Sequence, residues 1–146
     1  MAVRVRSDRT FRFDAGPEAV WSAMADTGSY RRWWPWLRRF EAEGLVPGDV
    51  WRCTVKPPLP YVLRFTVTLD DVATHRIRAT VGGDIEGSAV LDLLPRSGGS
   101  EARLVSDLAP RNGALAVVAA AAAPVVRYGH DWVLDRGARQ FAHRAL

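Results

Sequence analysis

Apolar and polar residues alternate through most of the first 110 positions of this chain. Between residues 63 and 70, for example, leucine, phenylalanine and valine occupy every second position, with arginine, threonine or aspartate between them. A period of two indicates a half-buried strand, and one apolar face per strand is typical of an antiparallel sheet covered on one side. The predicted strands cover residues 3–13, 40–45, 50–56, 63–70, 76–81, 89–93 and 103–108, with RSGGSE at 96–101 as a hairpin loop.

Two short helices interrupt this pattern after the first strand. Pro17 suits a first helical turn, and an apolar stripe follows it that ends before Gly28. A second helix is predicted for residues 29–33, because Pro35 discourages its continuation.

The last third of the chain predicts one long helix. Asn112 is the expected N-cap, and a kink or break is expected at Pro124, since an interior proline costs about 3 kcal/mol. Gly129 and Gly137 lie on the apolar face of this helix, which makes sense if the sheet backbone or a ligand comes close there. One helix cannot fully cover a strongly bent sheet of seven strands, so we expect a cavity between them.

This order of elements is accompanied by three local motifs: PEAVW after the first strand, YRRWWPW after the first helix, and WVLDRGARQF in the last helix. Together they resemble the polyketide cyclase/dehydrase branch of the START-like superfamily, over the range from Phe13 to Phe141. The resemblance implies a single α+β domain over residues 1–146 with the helix-grip fold. In that fold a curved seven-stranded antiparallel sheet wraps around a long C-terminal helix, and two short helices lie between strands 1 and 2.

The resemblance also implies an internal, mainly apolar cavity for a lipid, a polyketide or an aromatic small molecule. Some relatives are carriers or sensors and others are aromatase/cyclases, so the fold alone leaves the function open. Strand alternation and the apolar helix face suggest which residues line the cavity, although plain core is the simpler interpretation for most of them and Trp51 and His130 are the more balanced cases. The predicted set is Trp33, Trp36, Trp51, Cys53, Tyr61, Leu63, Phe65, Val67, Ala79, Val81, Ala89, Leu91, Ser106, Val126, Gly129, His130 and Val133.

General acid–base catalysis in such a cavity would need an ionisable side chain that points inward. The candidates are His130, Tyr61, and the acids Asp84 and Glu86 in GGDIEG. Strict alternation places both acids on the outward face, where ion pairing is the alternative, unless the preceding glycines form a bulge. No nucleophile–base pair stands out, so catalysis stays open, and no cofactor is expected.

The composition raises one further possibility. The chain has 20 lysine and arginine residues, a formal charge of +4 and a sequence pI near 10.0, and YRRWWPWLRRF at 30–40 concentrates four of the arginines around three tryptophans. A basic module for nucleic acid or an anionic membrane would need these groups on one continuous patch, and its binding would weaken steeply with salt. The arginines instead flank the aromatic block in pairs. That arrangement favours an aromatic lid with a polar rim, whose arginines would meet a carboxylate or phosphate on an otherwise apolar ligand.

Three functions therefore remain, in this order: binding of a hydrophobic small molecule, a cyclase or dehydrase reaction on such a molecule, and the basic interaction module. The expected partner is the small molecule, without nucleic acid. A single cysteine excludes an intrachain disulfide, and no histidine pair has metal-ligand spacing, so no metal is expected. The longest apolar run, at 114–126, is too short to span a bilayer, and the N-terminus lacks an apolar leader segment. We therefore expect a cytoplasmic monomer or homodimer without stable membrane insertion.

Overall fold

The structure is a computed structural model, and it describes residues 4–111, 116 and 123–146. The strands are β1 (Val5–Phe13), β2 (Leu37–Glu41), β3 (Val50–Val55), β4 (Leu63–Ala73), β5 (Arg76–Gly83), β6 (Ile85–Arg96) and β7 (Gly99–Pro110). The helices are α1 (Pro17–Ala25), α2 (Tyr30–Trp33) and α3 (Ala123–Arg144), with a 3-10 turn at Thr27–Ser29. This is the predicted helix-grip architecture, which is confirmed.

The seven strands form one antiparallel sheet in the order β1-β7-β6-β5-β4-β3-β2. Strand β5 shows why the sequence predicts it well: Ile77, Ala79 and Val81 are buried, whereas the residues between them are exposed. Side chains in a strand alternate between the two faces, so the apolar set of each strand turns toward the same concave side. Helix α3 lies against that side.

Several predicted boundaries need correction. Strand β2 begins at Leu37 and not at residue 40, because Pro35 and Trp36 form a tight turn after α2, which the bond from the Leu37 amide to the Trp34 carbonyl closes at 3.0 Å. The predicted loop at 96–101 is mostly strand: Arg96 pairs with Gly99, which leaves only two residues in the turn. The glycines and serines of this segment predicted a longer loop, but the same residue types also occur in two-residue hairpin turns.

Helix α3 is described from Ala123 to Arg144. The break expected at Pro124 stays a prediction, because residues 117–122 lie outside the described residues. The predicted N-cap at Asn112 lies outside the described residues.

Polar contacts hold α3 to the first strand. Arg9 on β1 pairs with Asp131 at 3.5 Å and also with Asp135, one turn further along the helix. The guanidinium of Arg127 donates to the carbonyl of Arg6 at 3.1 Å. The helix face that carries these charges is therefore tied to the edge strand β1.

Both glycines of α3 face aromatic side chains. A Cβ at Gly129 would lie 2.0 Å from the hydroxyl oxygen of Tyr61, and one at Gly137 would lie 3.2 Å from the ring of Trp36. The sequence predicted a close approach of the sheet backbone or a ligand at these positions. The groups that approach are instead two side chains from the loops that precede β4 and β2.

We expect Gly129→Ala to destabilise the protein, because the added methyl group must displace Tyr61. Overpacking of this kind costs about 1–3 kcal/mol, whereas alanine gains only about 1 kcal/mol over glycine in helix propensity. In the double variant Tyr61→Phe/Gly129→Ala, loss of the phenol oxygen should recover part of the lost free energy of unfolding.

Chemical denaturation of the four proteins of this double-mutant cycle measures the coupling between the two residues. Gly137→Ala is the matched comparison: its added Cβ would lie 3.2 Å from the Trp36 ring instead of 2.0 Å from the Tyr61 oxygen, so its loss in free energy of unfolding should be smaller than that of Gly129→Ala. If the Gly129→Ala and Tyr61→Phe effects simply add, the close approach does not constrain the helix.

Candidate ligand-binding site

Two adjoining cavities lie between the sheet and α3. The larger has a volume of ≈ 330 Å³ and the smaller ≈ 200 Å³. They share four wall residues, Ala89, Leu104, Val133 and Leu134. We name the larger one the aromatic cavity and the smaller one the histidine cavity, after the side chains that distinguish their walls.

The aromatic cavity lies beside the second half of α3. Of the predicted residues, Trp36, Trp51, Val67, Ala79, Ala89, Leu91 and Val133 line it. The further lining residues are Phe11, Phe13, Val20, Met24, Tyr30, Trp34, Leu69, Ile77, Ala102, Leu104, Leu134, Gly137, Ala138 and Phe141. No charged side chain is present among them, so this wall suits an apolar ligand surface.

Four aromatic groups on this wall carry polar hydrogens, and all four are bonded to protein oxygens. The indole N–H groups of Trp34, Trp36 and Trp51 donate to the Gly137 carbonyl at 2.9 Å, the Gln140 side chain at 2.8 Å and the Gly44 carbonyl at 2.9 Å. The hydroxyl of Tyr30 donates to the Met24 carbonyl at 2.5 Å. These residues therefore offer a ligand their ring surfaces, since their donors are already engaged.

Tyr30 stands at the centre of the aromatic cluster. Its ring is 5.1 Å from that of Phe40 and 5.7 Å from that of Trp51, and burial raises the pKa of its hydroxyl far above the usual range. Such ring pairs add about 0.5–1.5 kcal/mol each beyond the area that they bury. The cluster thus fixes α2 against strands β2 and β3 of the sheet.

The segment YRRWWPWLRRF has its aromatic rings inside and its arginines outside. Arg31, Arg32, Arg38 and Arg39 are all exposed, and none of them lines either cavity. Trp34, which is not among the predicted wall residues, also lines the aromatic cavity, since its indole N–H reaches the backbone of α3.

The histidine cavity lies beside the first half of α3. Of the predicted residues, Tyr61, Leu63, Phe65, Val81, Ala89, Ser106, Val126, Gly129, His130 and Val133 line it. The remaining wall residues are Val5, Val55, Pro57, Ile85, Leu104, Leu108, Pro110 and Leu134. Its polar side chains come from one tyrosine, one serine and one histidine, in an otherwise apolar wall.

His130 is largely buried, and its Nδ1 lies 3.2 Å from the carboxylate of the neighbouring Asp131. Burial lowers the pKa of His130 below its ordinary value, and the positive charges of Arg127 and Arg9 act in the same direction. Asp131 opposes this shift but does not overcome it. The imidazole is therefore neutral at physiological pH.

Tyr61 and Ser106 contribute the two hydroxyl groups of the histidine cavity. Tyr61 is 4% exposed, and burial raises the pKa of its phenol. Its hydroxyl lies against Gly129 of α3. Ser106 is 6% exposed, and its hydroxyl has no hydrogen-bond partner among the described residues.

Two candidate acids lie away from both cavities. Asp84 accepts a hydrogen bond from the backbone amide of Arg64 at 2.8 Å, and Glu86 pairs with Arg111 at 3.5 Å. The glycines before Asp84 do not redirect these side chains inward. Their observed contacts are the surface interactions that strict alternation favours.

Two predicted wall residues, Trp33 and Cys53, line neither cavity. Both are buried in the same core cluster as Val20 and Tyr30. The Trp33 ring packs 5.4 Å from that of Phe141. Burial raises the pKa of the Cys53 thiol to about 12, so it is not a thiolate nucleophile at neutral pH.

The sequence analysis missed cavity residues from β1 and from the second half of α3. Phe11 and Phe13 belong to the alternating pattern of β1, and Gly137 and Phe141 follow Val133 at steps of four. Steps of four keep one helix face, so extending that face to the end of the chain would have found them. The orientation of Trp34 carries no comparable signal, because it follows from the turn at Pro35.

Within the described part of the chain, no group of three His, Cys, Asp or Glu side chains is placed to hold a metal ion. None of the described helices has the length and apolar content needed to cross a bilayer.

A curled antiparallel sheet that grips a long C-terminal helix is also the fold of a START superfamily protein of known structure. The chain belongs to the polyketide cyclase/dehydrase and lipid transport family, whose model matches residues 4–145. The resemblance seen in the sequence is thereby confirmed. No curated protein sequence matches this one.

The solved structures with the same fold include the following three. The solution structure of the KanY protein has 18% identity and a TM-score of 0.73, and the match covers 98% of each chain. A START superfamily protein from Mycobacterium smegmatis has 16% identity and a TM-score of 0.68 over 96% of each chain. The di-domain ARO/CYC protein BexL, from the BE-7585A biosynthetic pathway, has 15% identity and a TM-score of 0.76, over 97% of this chain and 50% of BexL. At these identities the likeness shows a shared fold.

The lowered pKa of His130 predicts a pH dependence of stability. The unfolded chain takes up a proton near the ordinary value of 6.5, whereas the folded chain takes it up only at lower pH. The stabilising contribution of neutral His130 is thus complete above the unfolded pKa and is lost as pH falls below it. We expect an NMR titration midpoint below 6.5 for His130.

Thermal melts between about pH 7 and about pH 5 test the same linkage. The melting temperature of wild type should fall more steeply over this range than that of His130→Phe. His143→Gln, which removes an exposed histidine from the same helix, should keep the wild-type slope. A His130 midpoint at or above 6.5 would contradict the assignment.

Proposed function

We propose that this protein binds a hydrophobic small molecule, such as a lipid, a polyketide or an aromatic metabolite, in the two cavities between the sheet and α3. The observation that carries this proposal is the pair of adjoining apolar cavities with shared walls at Ala89, Leu104, Val133 and Leu134. The larger cavity falls at the lower end of the range of about 300–1,000 Å³ typical of small-molecule sites.

The chemistry of the walls supports an uncharged ligand. No lysine, arginine, aspartate or glutamate lines either cavity in the described residues. A charge placed there would lose its hydration without gaining a partner of opposite sign, which is strongly unfavourable. An apolar molecule instead gains dispersion contacts with walls that otherwise have none on that side.

The second candidate function is a cyclase or dehydrase reaction on a molecule held in the same place. The family description and the fold that the chain shares with BexL support it, and so does the placement of Tyr61 and His130 at one cavity. If this reaction occurs, Tyr61→Phe and His130→Phe should lose turnover of a polyketide chain and keep its binding. Variants with unchanged turnover would exclude both side chains from the chemistry.

The basic interaction module finds little support. The four arginines of residues 30–40 are exposed, but the tryptophans between them are turned toward the protein interior. Stacking on nucleic-acid bases requires exposed rings interleaved with the basic groups.

A large side chain in the space where the two cavities meet should weaken ligand binding strongly. In Ala89→Phe, a ring would occupy the region where the two cavities adjoin, so we expect the affinity for the fluorescent probe 1-aminoanthracene to fall at least about tenfold. Val90→Phe is the matched control, because Val90 neighbours Ala89 on β6 and lines neither cavity. It should bind the probe as wild type does.

Fluorescence titration measures the affinity, and circular dichroism verifies that both variants fold. Equal binding by wild type and Ala89→Phe would place the probe elsewhere. If wild type binds neither this probe nor the uncharged naphthalenes described below, the proposed function is wrong.

A further inference from the structure

The hydroxyl oxygen of Ser106 is a fully buried polar atom of the histidine cavity that has no hydrogen-bond partner among the described residues. The residue lies in the middle of β7, opposite Ser7 of β1 and Ala89 of β6. A buried hydroxyl without a hydrogen bond costs about 1–3 kcal/mol. Alanine is nearly the same size and would avoid this cost, so the hydroxyl is better explained by a ligand than by packing.

Two further hydrogen-bonding groups share this cavity with Ser106. The Nδ1 atom of His130 is engaged with Asp131, and since a carboxylate accepts, Nδ1 carries the hydrogen. In the neutral imidazole Nε2 is then an acceptor with no partner among the described residues. The phenol of Tyr61 lines the same cavity, and it can donate or accept.

The aromatic cavity, by contrast, has no polar hydrogen to offer from its aromatic wall. The N–H groups of Trp34, Trp36 and Trp51 and the hydroxyl of Tyr30 are all bonded to protein oxygens. A ligand with one polar end and one apolar end therefore has only one favourable orientation. Its polar end lies in the histidine cavity and its apolar body extends past Val133 and Leu134 into the aromatic cavity.

The polar end can be defined by what these three groups provide. Ser106 and Tyr61 can each donate, and Nε2 of His130 can only accept, so the matching ligand group must both accept and donate. A hydroxyl group does both, whereas an ether or a ketone cannot donate to Nε2. A carboxylate would lack a cationic partner, and an ammonium group would lack an anionic one, because no charged side chain lines the cavity.

We propose that the histidine cavity receives the hydroxyl group of an uncharged apolar ligand, a phenol, enol or alcohol, and that Ser106 recognises it together with His130 and Tyr61. This inference rests on the proposed function, because it assigns the ligand class of the same cavities. It makes Ser106 a specificity-determining residue.

Isothermal titration calorimetry with two probes of matched shape tests the proposal. The probes are 2-naphthol and 2-methylnaphthalene, which differ in a hydroxyl against a methyl group. The measured quantity is the ratio of the two affinities for each protein. The probes differ in hydrophobicity by the same amount for every variant, so comparing the ratio between variants cancels that difference. In Ser106→Ala the preference for 2-naphthol should fall about tenfold relative to wild type, as expected for loss of a buried hydrogen bond.

The matched control is Ser88→Ala, since Ser88 is an exposed serine of the adjacent strand β6. It should keep the wild-type ratio. Ser106→Cys, in which a weak thiol donor replaces the hydroxyl at similar volume, should fall between wild type and Ser106→Ala. An unchanged ratio in Ser106→Ala would overturn the inference and leave the proposed function intact. Failure of wild type to bind either naphthalene would also overturn the inference, and the proposed function is overturned with it only if 1-aminoanthracene is not bound either.

The stability of the unliganded protein provides a second readout. Without ligand, Ser106→Ala should melt at the wild-type temperature or above it, because the substitution removes a buried hydroxyl that has no partner. A structural serine would show the opposite. A clearly lower melting temperature, or failure of the variant to fold, would therefore contradict the inference.

Discussion

The distance between α3 and the loops at the ends of the sheet is the constraint on which the rest of this structure depends. At Gly129 and Gly137 the helix has no Cβ, so the hydroxyl of Tyr61 and the ring of Trp36 come into contact with it. Between these two points, Val133 projects into the space under the sheet and lines both cavities. The helix is thus held by aromatic side chains at its glycines, while a gap remains between the middle of the helix and the sheet. The cavities are a consequence of how the helix is held.

The same contacts divide the enclosed space into chemically different halves. Tryptophan and tyrosine usually bring hydrogen-bond donors to a binding site, but here their donors tie elements of the fold together. The interactions that position α2 and α3 therefore leave the larger cavity without polar character on its aromatic side. Ser106, His130 and Tyr61 line the smaller cavity instead, and in the proposed function they are the groups that recognise the polar end of the ligand.

Local patterns were sufficient for the fold because period-two alternation in the strands and the glycine and proline positions reflect local physics. The same alternation placed Ser106 and Leu63 on the inward face, where the structure also has them. It did not distinguish cavity wall from core: Cys53 is on the inward face of β3 as well, but it is packed in the cluster of Tyr30 and Trp33. That distinction, like the orientation of Trp34, depends on side chains from distant parts of the chain. Pattern reasoning finds the face of a strand, whereas tertiary packing decides what covers it.

The concentration of indoles on one wall has an optical consequence. Three of the six tryptophans, Trp34, Trp36 and Trp51, line the aromatic cavity. Their N–H groups have protein acceptors, so an entering molecule displaces nothing from them and changes only the polarisability next to their rings. Half of the chromophores that dominate the ultraviolet emission of this protein therefore surround the site. The protein carries its own spectroscopic reporter of occupancy, and no label has to be attached to follow it.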